Sequence, residues 1–375
     1  MRRRTATVAF GGFVILGLPT GMLGVAWPSI REELDAPLAG LGLVLAAMTL
    51  TEFGSSALSG IVRQLFGTLA LLLLPTALAA GGLLLFTVAQ TWSTVILAAA
   101  VLGAGLGLLD AAVNTEAALR RGIRFMGALH ASWAVGATLG PPVIGFALVV
   151  AGSWRLGYAA AALAFVAFAV ATYLGRADLA AIPEHDDAPI VRDGARRASV
   201  MGAALMFVYV GIELGAGQWS FTRLTADSVL TDGVAGLAVF LYWSALAAGR
   251  IALALFGARI PAARLIDLSV AGAIASAVAF WILPPPIAAL IALPSIGLSL
   301  SVFVPLLLYL IPRRVGRAAA PHVIGYLVAA GMIGGAVLPA GIGLVLQSTG
   351  VSSLGICLSA LAAAFGGLHV AARGR

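Results

Sequence analysis

Residues 176–199 read RADLAAIPEHDDAPIVRDGARRAS, the longest polar passage in the chain. It holds Pro183-Glu184-His185-Asp186-Asp187 and Arg192-Asp193-Gly194-Ala195-Arg196-Arg197. On either side the sequence is a succession of apolar runs, six before it and six after it. A helix rising 1.5 Å per residue needs about 20 residues to cross roughly 30 Å of hydrocarbon. The runs have that length, whereas barrel strands would alternate over about ten residues. The runs predict spans at 7–29, 38–62, 68–90, 92–118, 126–150, 154–175, 199–222, 232–256, 265–283, 287–311, 321–347 and 351–372. Pro19, Pro75, Pro141, Pro142, Pro294, Pro305 and Pro339 fall inside them. Neighbouring helices can satisfy the carbonyls that such prolines free.

Composition leads to the same class. Of 375 residues, 61% are apolar and 10% charged, against roughly 45–50% and about 25% in soluble domains. An apolar excess of this size needs lipid as its solvent. Cys357 is the single cysteine, so no disulfide or thiolate cluster forms within one chain. Every basic residue is an arginine, and the net charge is +7. With the N-terminus inside, the inner loops and ends carry Arg2, Arg3, Arg4, Arg63, Arg120, Arg121, Arg124, Arg176, Arg192, Arg196, Arg197, Arg259, Arg264, Arg313, Arg314, Arg317, Arg373 and Arg375. The outer side carries Arg31, Arg155 and Arg223, and Arg250 lies late in the eighth run. Eighteen against three is the positive-inside pattern, so both termini are expected in the cytoplasm. The charge then belongs to topology, and no nucleic-acid partner is expected.

Met1-Arg2-Arg3-Arg4 and the run after it have the outline of a secretory signal. The run is too long for a signal core and ends in Trp27-Pro28-Ser29-Ile30 rather than a small-x-small site, so an uncleaved first helix is expected. The expected architecture is an all-α membrane protein of 12 spans, with bundles at 1–175 and 199–375 joined by a cytoplasmic linker at 176–198. Equal halves that both start inside point to parallel repeats about an axis along the membrane normal. The loops Gly60-Ile61-Val62-Arg63-Gln64-Leu65-Phe66-Gly67 and Phe256-Gly257-Ala258-Arg259-Ile260-Pro261 echo one another at equivalent places. The other connections are too short for a soluble catalytic domain. No phosphate-binding Gly-x-x-x-x-Gly-Lys occurs and no lysine exists to complete one. No enzyme activity, cofactor or metal site is expected, and any transport would run on a gradient.

These features resemble the major facilitator superfamily. Gly21-Met22-Leu23-Gly24-Val25-Ala26-Trp27-Pro28-Ser29-Ile30-Arg31 is similar to its first helix and first outer loop. Residues 60–67 are similar to a degraded form of its loop between helices two and three, with Val62 where an acid usually precedes the arginine. Within the superfamily the chain resembles the fucose permease type of sugar–proton symporter. That likeness rests on Gly105-Leu106-Gly107-Leu108-Leu109-Asp110-Ala111-Ala112-Val113-Asn114, on Leu129-His130-Ala131-Ser132-Trp133-Ala134-Val135-Gly136 followed by Gly140-Pro141, and on Tyr209-Val210-Gly211-Ile212-Glu213 followed by Trp219. In that group the fourth-helix acid is linked to proton coupling and sugar binding. The group also carries a functional acid in its first helix, and residues 7–29 have none.

A charge deep in a span costs about 2.5–3.5 kcal/mol on insertion scales, so such residues invite a functional reading. Asp110 shares a helical face with Gly103, Gly107 and Asn114. An acid there can change protonation with water access, as proton coupling requires. Tyr209, Glu213 and Gly217 form a second stripe, and Glu213 is the other coupling candidate. Asn114 suits either a solute hydroxyl or a helix bridge. Glu116 near Arg120 and Arg121 reads as a solvated pair. His130, with Trp133 one turn on, suits a relay, a solute contact or an inter-helix bond. Spacing puts Trp219 in an interfacial belt, while the resemblance implies a solute contact. Glu52 reads as structural, paired with Arg63, or as part of a proton path. Arg250 is expected to snorkel inward or pair with an acid, and Arg63, Arg250 and Arg259 are structural or gating candidates.

The expected function is secondary active transport of a small organic solute, such as a sugar, by alternating access in symport with protons. The solute would bind between the bundles near the midplane. The alternative is proton-driven efflux of drugs or amphipathic metabolites. The expected setting is a monomer in the lipid bilayer of a bacterial inner membrane.

Overall fold

The structure is a computed structural model that describes residues 3–120, 123–176, 193–226, 229–316 and 320–373. Its described residues form helices and short connections, with no strand among them. In chain order the helices are α1 Arg3–Glu33, α2 Gly40–Ser56, α3 Ser59–Val88, α4 Trp92–Arg120, α5 Ile123–Ala151 and α6 Trp154–Leu174. After them come α7 Asp193–Thr225, α8 Asp232–Phe256, α9 Ala262–Ile282, α10 (a broken run over Pro285–Ile311), α11 Ala320–Thr349 and α12 Leu354–Arg373. Among the described residues, 11 helices are long and apolar enough to cross a membrane, and a bent pair brings the number to 12.

The bent pair is the second span. Gly40–Ser56 and Ser59–Gly67 meet at 52°. The last turns of α2 carry hydroxyls that bond back to their own helix. Thr51 donates to the Ala47 and Met48 carbonyls at 2.8 and 2.9 Å, Ser55 to Glu52 at 3.1 Å and Ser56 to Phe53 at 2.7 Å. Such back-bonding competes with the helical ladder and bends it. The span then continues to Gly67, whose φ of 80° suits glycine and turns the chain into the crossing piece Leu69–Val88. The sequence reading ended this span at 62 and put a loop at 60–67; helix persists there instead.

α10 is broken twice, each time near a proline. A π-turn at Ala288–Ala292 precedes Pro294, and the helix restarts at Phe303 just before Pro305. Proline has no N–H and crowds the carbonyl four residues back, so the ladder shifts register to pass it. These two prolines are tolerated by local refolding of the helix.

The chain divides into two compact units, Met1–Pro183 and Glu184–Arg375. Inside the first, α1 packs on α5, α2 on α4, and α3 on α4 and α6. Inside the second, α7 packs on α11, α8 on α10, and α9 on α10 and α12. The pairing scheme is the same in both. Within the first unit, α6 is clipped to the ends of α1 and α3. Trp154 Nε1 donates to Glu33 at 2.7 Å, and the Arg155 guanidinium reaches both Glu33 and the Ala89 carbonyl. The outward surfaces are apolar, with Val149 at 87% and Leu174 at 71% exposure, as lipid contact requires.

Glycine sets how closely the helices approach. A Cβ at Gly17 would overlap the Trp133 carbonyl oxygen, and one at Gly21 would overlap that of Ala137, so α1 and α5 meet backbone to backbone. Small residues give this kind of contact in membranes, where apolar burial does not drive helices together. Gly21→Ala is expected to destabilise the protein by about 1–3 kcal/mol, the usual effect of overpacking. Gly54→Ala, where a Cβ meets nothing within 4 Å, is expected to change stability by no more than about 1 kcal/mol, in the favourable direction. Thermal unfolding of the two purified variants in detergent checks the contrast. Equal effects would mean that the α1–α5 approach is not limited by backbone contact.

Candidate functional site

The first unit brings two acids together where α2 crosses α4. Gly103 lies against the Met48 carbonyl and the Thr51 hydroxyl, and Gly107 against the Glu52 carbonyl and the Ser55 hydroxyl. The successive contacts ascend along both helices, so α2 and α4 run in parallel at van der Waals distance. Asp110 follows Gly107 by less than a turn, which puts it on the turn next to the one where Glu52 meets Gly107. The two carboxyl groups are close enough for their charges to interact. Both residues are half-buried. Of the two readings of Glu52, the pairing with Arg63 falls on a side chain outside the described residues.

The other first-unit candidates stand elsewhere. His130 and Trp133 lie on α5, facing α1. The His130 ring meets Phe13 edge-on at 5.8 Å, and the Trp133 carbonyl is the one that Gly17 touches. Asp110, His130 and Trp133 each have interaction partners in the fold. The side chain of Asn114, like that of Glu116, lies outside the described residues.

In the second unit the stripe on α7 meets a cation from α8. Arg250 Nη2 lies 3.4 and 3.5 Å from the two Glu213 carboxylate oxygens and 3.4 Å from the Tyr209 hydroxyl. Glu213 and Arg250 are each 5% exposed. Arg250 therefore does not snorkel to a surface; it takes the acid pair. Tyr242, two turns before Arg250, donates its hydroxyl to the Glu213 backbone carbonyl at 2.7 Å. Trp243 lies against Gly217, where a Cβ would collide with its indole. Tyr209 stacks on Phe303 of the α10 span at 5.3 Å between centroids. Glu213 is thus held at its carbonyl by Tyr242 and at its carboxylate by Arg250.

The belt reading that spacing gives Trp219 changes here. Trp219 is fully buried, and its indole N–H donates to the Pro339 carbonyl at 3.0 Å. It ties α7 to α11 and sits in no lipid-facing belt. Glu213 has the Arg250 guanidinium beside it, a partner on another helix that spacing along α7 does not reveal. Arg259 is exposed, with its guanidinium over the Phe256 ring at 5.2 Å. Tyr242 was missed by the sequence reading, although Tyr242, Leu246 and Arg250 fall on one face at four-residue steps. Among the described residues, no group of three or more His, Cys, Asp or Glu side chains is placed to hold a metal ion.

Known proteins give this architecture a family. Among curated proteins, Efflux pump dotC of Dothistroma septosporum (strain NZE10 / CBS 128990) is 25% identical over 228 residues, which is 60% of this chain and 39% of that protein. Efflux pump dotC of Dothistroma septosporum gives the same identity over 60% of this chain and 38% of its own length. The match therefore spans about two fifths of these relatives. Among solved structures, a mutant of nucleoside transporter NupG superposes with a TM-score of 0.76 at 12% identity, covering 98% of this chain and 99% of that one. At that identity the likeness concerns the fold. A family model described as Major Facilitator Superfamily matches residues 9–339. With most of its length matched in this way, the chain, a multi-pass membrane protein, belongs to the Major Facilitator Superfamily.

Proposed function

We propose that this chain is a secondary active transporter that moves a small polar organic solute by alternating access in symport with protons, with Glu52 and Asp110 as its coupling site. The observation that carries this reading is the close packing of α4 on α2 at Gly103 and Gly107, which puts the acids Glu52 and Asp110 on neighbouring turns of adjoining helices. Like charges repel strongly in a low-dielectric interior. A carboxyl pair there favours one negative charge over two, and its proton answers to water access. A proton-coupled carrier needs a group of that kind. Membership of the superfamily supports a carrier rather than an enzyme, and the absence of lysine leaves no Walker-type phosphate site to power it with nucleotide.

In this reading Glu213 is one half of an ion pair with Arg250, not a second proton site. Tyr209, His130, Trp133 and Asn114 are the solute-contact candidates. The likeness to the fucose permease type supports a solute of sugar size. The arginine distribution supports cytoplasmic termini and an inner-membrane setting. Residues 1–175 and 199–375 would be the two bundles of the carrier, joined by the 176–198 linker, whose last six residues already belong to α7.

A second reading is proton-driven efflux of amphipathic compounds. The likeness to Efflux pump dotC favours it, over the aligned part of the chain.

Proteoliposomes with an imposed pH gradient separate the two. Labelled L-fucose and uridine are expected to accumulate with the proton gradient. Ethidium accumulation against the gradient, with no uptake of either polar solute, would establish efflux instead. Asp110→Asn and Glu52→Gln are each expected to lower concentrative uptake by about 5–150-fold, the usual range of a coupling free energy, while exchange of labelled for unlabelled solute persists. Undiminished concentrative uptake in both variants would remove the pair from the coupling step.

A further inference from the structure

The Glu213–Arg250 pair is buried at both ends yet made at long range. Charge-assisted N–H···O contacts run at about 2.7–2.9 Å, and these lie at 3.4 and 3.5 Å. A buried pair recovers its desolvation cost only when its geometry is good and its remaining valences are met. The geometry on the Glu213 side does not meet that condition. A single nitrogen, Arg250 Nη2, is spread over both carboxylate oxygens and the Tyr209 hydroxyl.

The surroundings explain why the pair does not close. The Tyr242 hydroxyl fixes the carbonyl of Glu213, and Trp243 against Gly217 fixes the turn that follows it. On α8, Gly249 beside Arg250 lies against the Ser301 hydroxyl of the α10 span, with no room for a Cβ. Backbone packing on both helices therefore fixes the points from which the two side chains reach toward one another.

We infer that this ion pair is frustrated in the conformation seen here and is better satisfied in another state of the carrier, so that Arg250 is a positioning residue that keeps α7 and α8 from settling in this one. Stored mismatch of this kind makes a packed interface bistable, because packed interiors rearrange between discrete arrangements. The inference concerns the second unit alone. It stands whether the solute moves inward or outward and whether or not Glu52 and Asp110 carry the proton.

The test compares Glu213→Gln, Arg250→Met and the double variant in detergent, by thermal unfolding and by hydrogen–deuterium exchange of peptides covering 205–217 and 239–252. Each single variant is expected to unfold at a lower temperature, because each leaves a buried group without its partner. The double variant is expected to unfold about 2–4 °C above wild type, with exchange in both peptides slowed about tenfold, the factor for one RT ln 10 step. Slower exchange separates the inference from a merely structural tie, whose removal would speed it. A double variant that does not fold, that unfolds below wild type, or that exchanges as fast as wild type overturns the inference.

Discussion

Hydrocarbon offers no hydrogen-bond partner, so every polar group that this chain takes into the membrane must be satisfied by the chain itself or by water let in for a purpose. That constraint puts nearly all of the described backbone into helices. It also sets how the helices meet. Burial of apolar surface cannot drive them together in lipid, so contact comes from close backbone approach at glycine, as in α1 against α5 and α2 against α4. Where the ladder breaks, a local substitute appears. Hydroxyls cover carbonyls at the end of α2, and a π-turn carries α10 past Pro294.

The same constraint made most of the fold readable. Twelve apolar runs about one central polar passage are a length signal, and length survives without knowledge of tertiary contacts. Boundaries failed where local chemistry overrides hydropathy. Residues 60–67 look like a loop because Gly60, Arg63, Gln64 and Gly67 are polar or small, yet the bent end of the second span stays helical through them. The breaks in α10 were visible only as prolines, since hydropathy over 287–311 is continuous.

The site was legible one residue at a time and illegible in pairs. Asp110, Glu213, Glu52 and Arg250 stand out because a charge inside an apolar run is expensive. Which of them meet depends on the register between helices, and register is set by glycine contacts that no single run reveals. Gly103 and Gly107 were read as a small-residue face; that they fit against Met48 and Glu52 required the folded chain. The spacing-based reading of Trp219 shows the same limit. An aromatic near the end of a run reads as interfacial until a carbonyl on another helix is seen to take its N–H.

The two units handle buried charge in opposite ways. The second sets an acid against a base, Glu213 beside Arg250. The first sets acid against acid, an arrangement whose charge depends on how many protons it holds. Only the latter can exchange protons with water without exposing an uncompensated cation. The energy of the former depends on separation, and the backbone on both of its sides is held by contacts at Tyr242, Trp243 and Gly249. The acids Glu52 and Asp110 stand on α2 and α4, whereas the ion pair joins α7 to α8, so the two units carry their buried charge at different places in a shared packing scheme. Where helices are held by close backbone approach, what a contact can do is set by which polar side chains stand beside it.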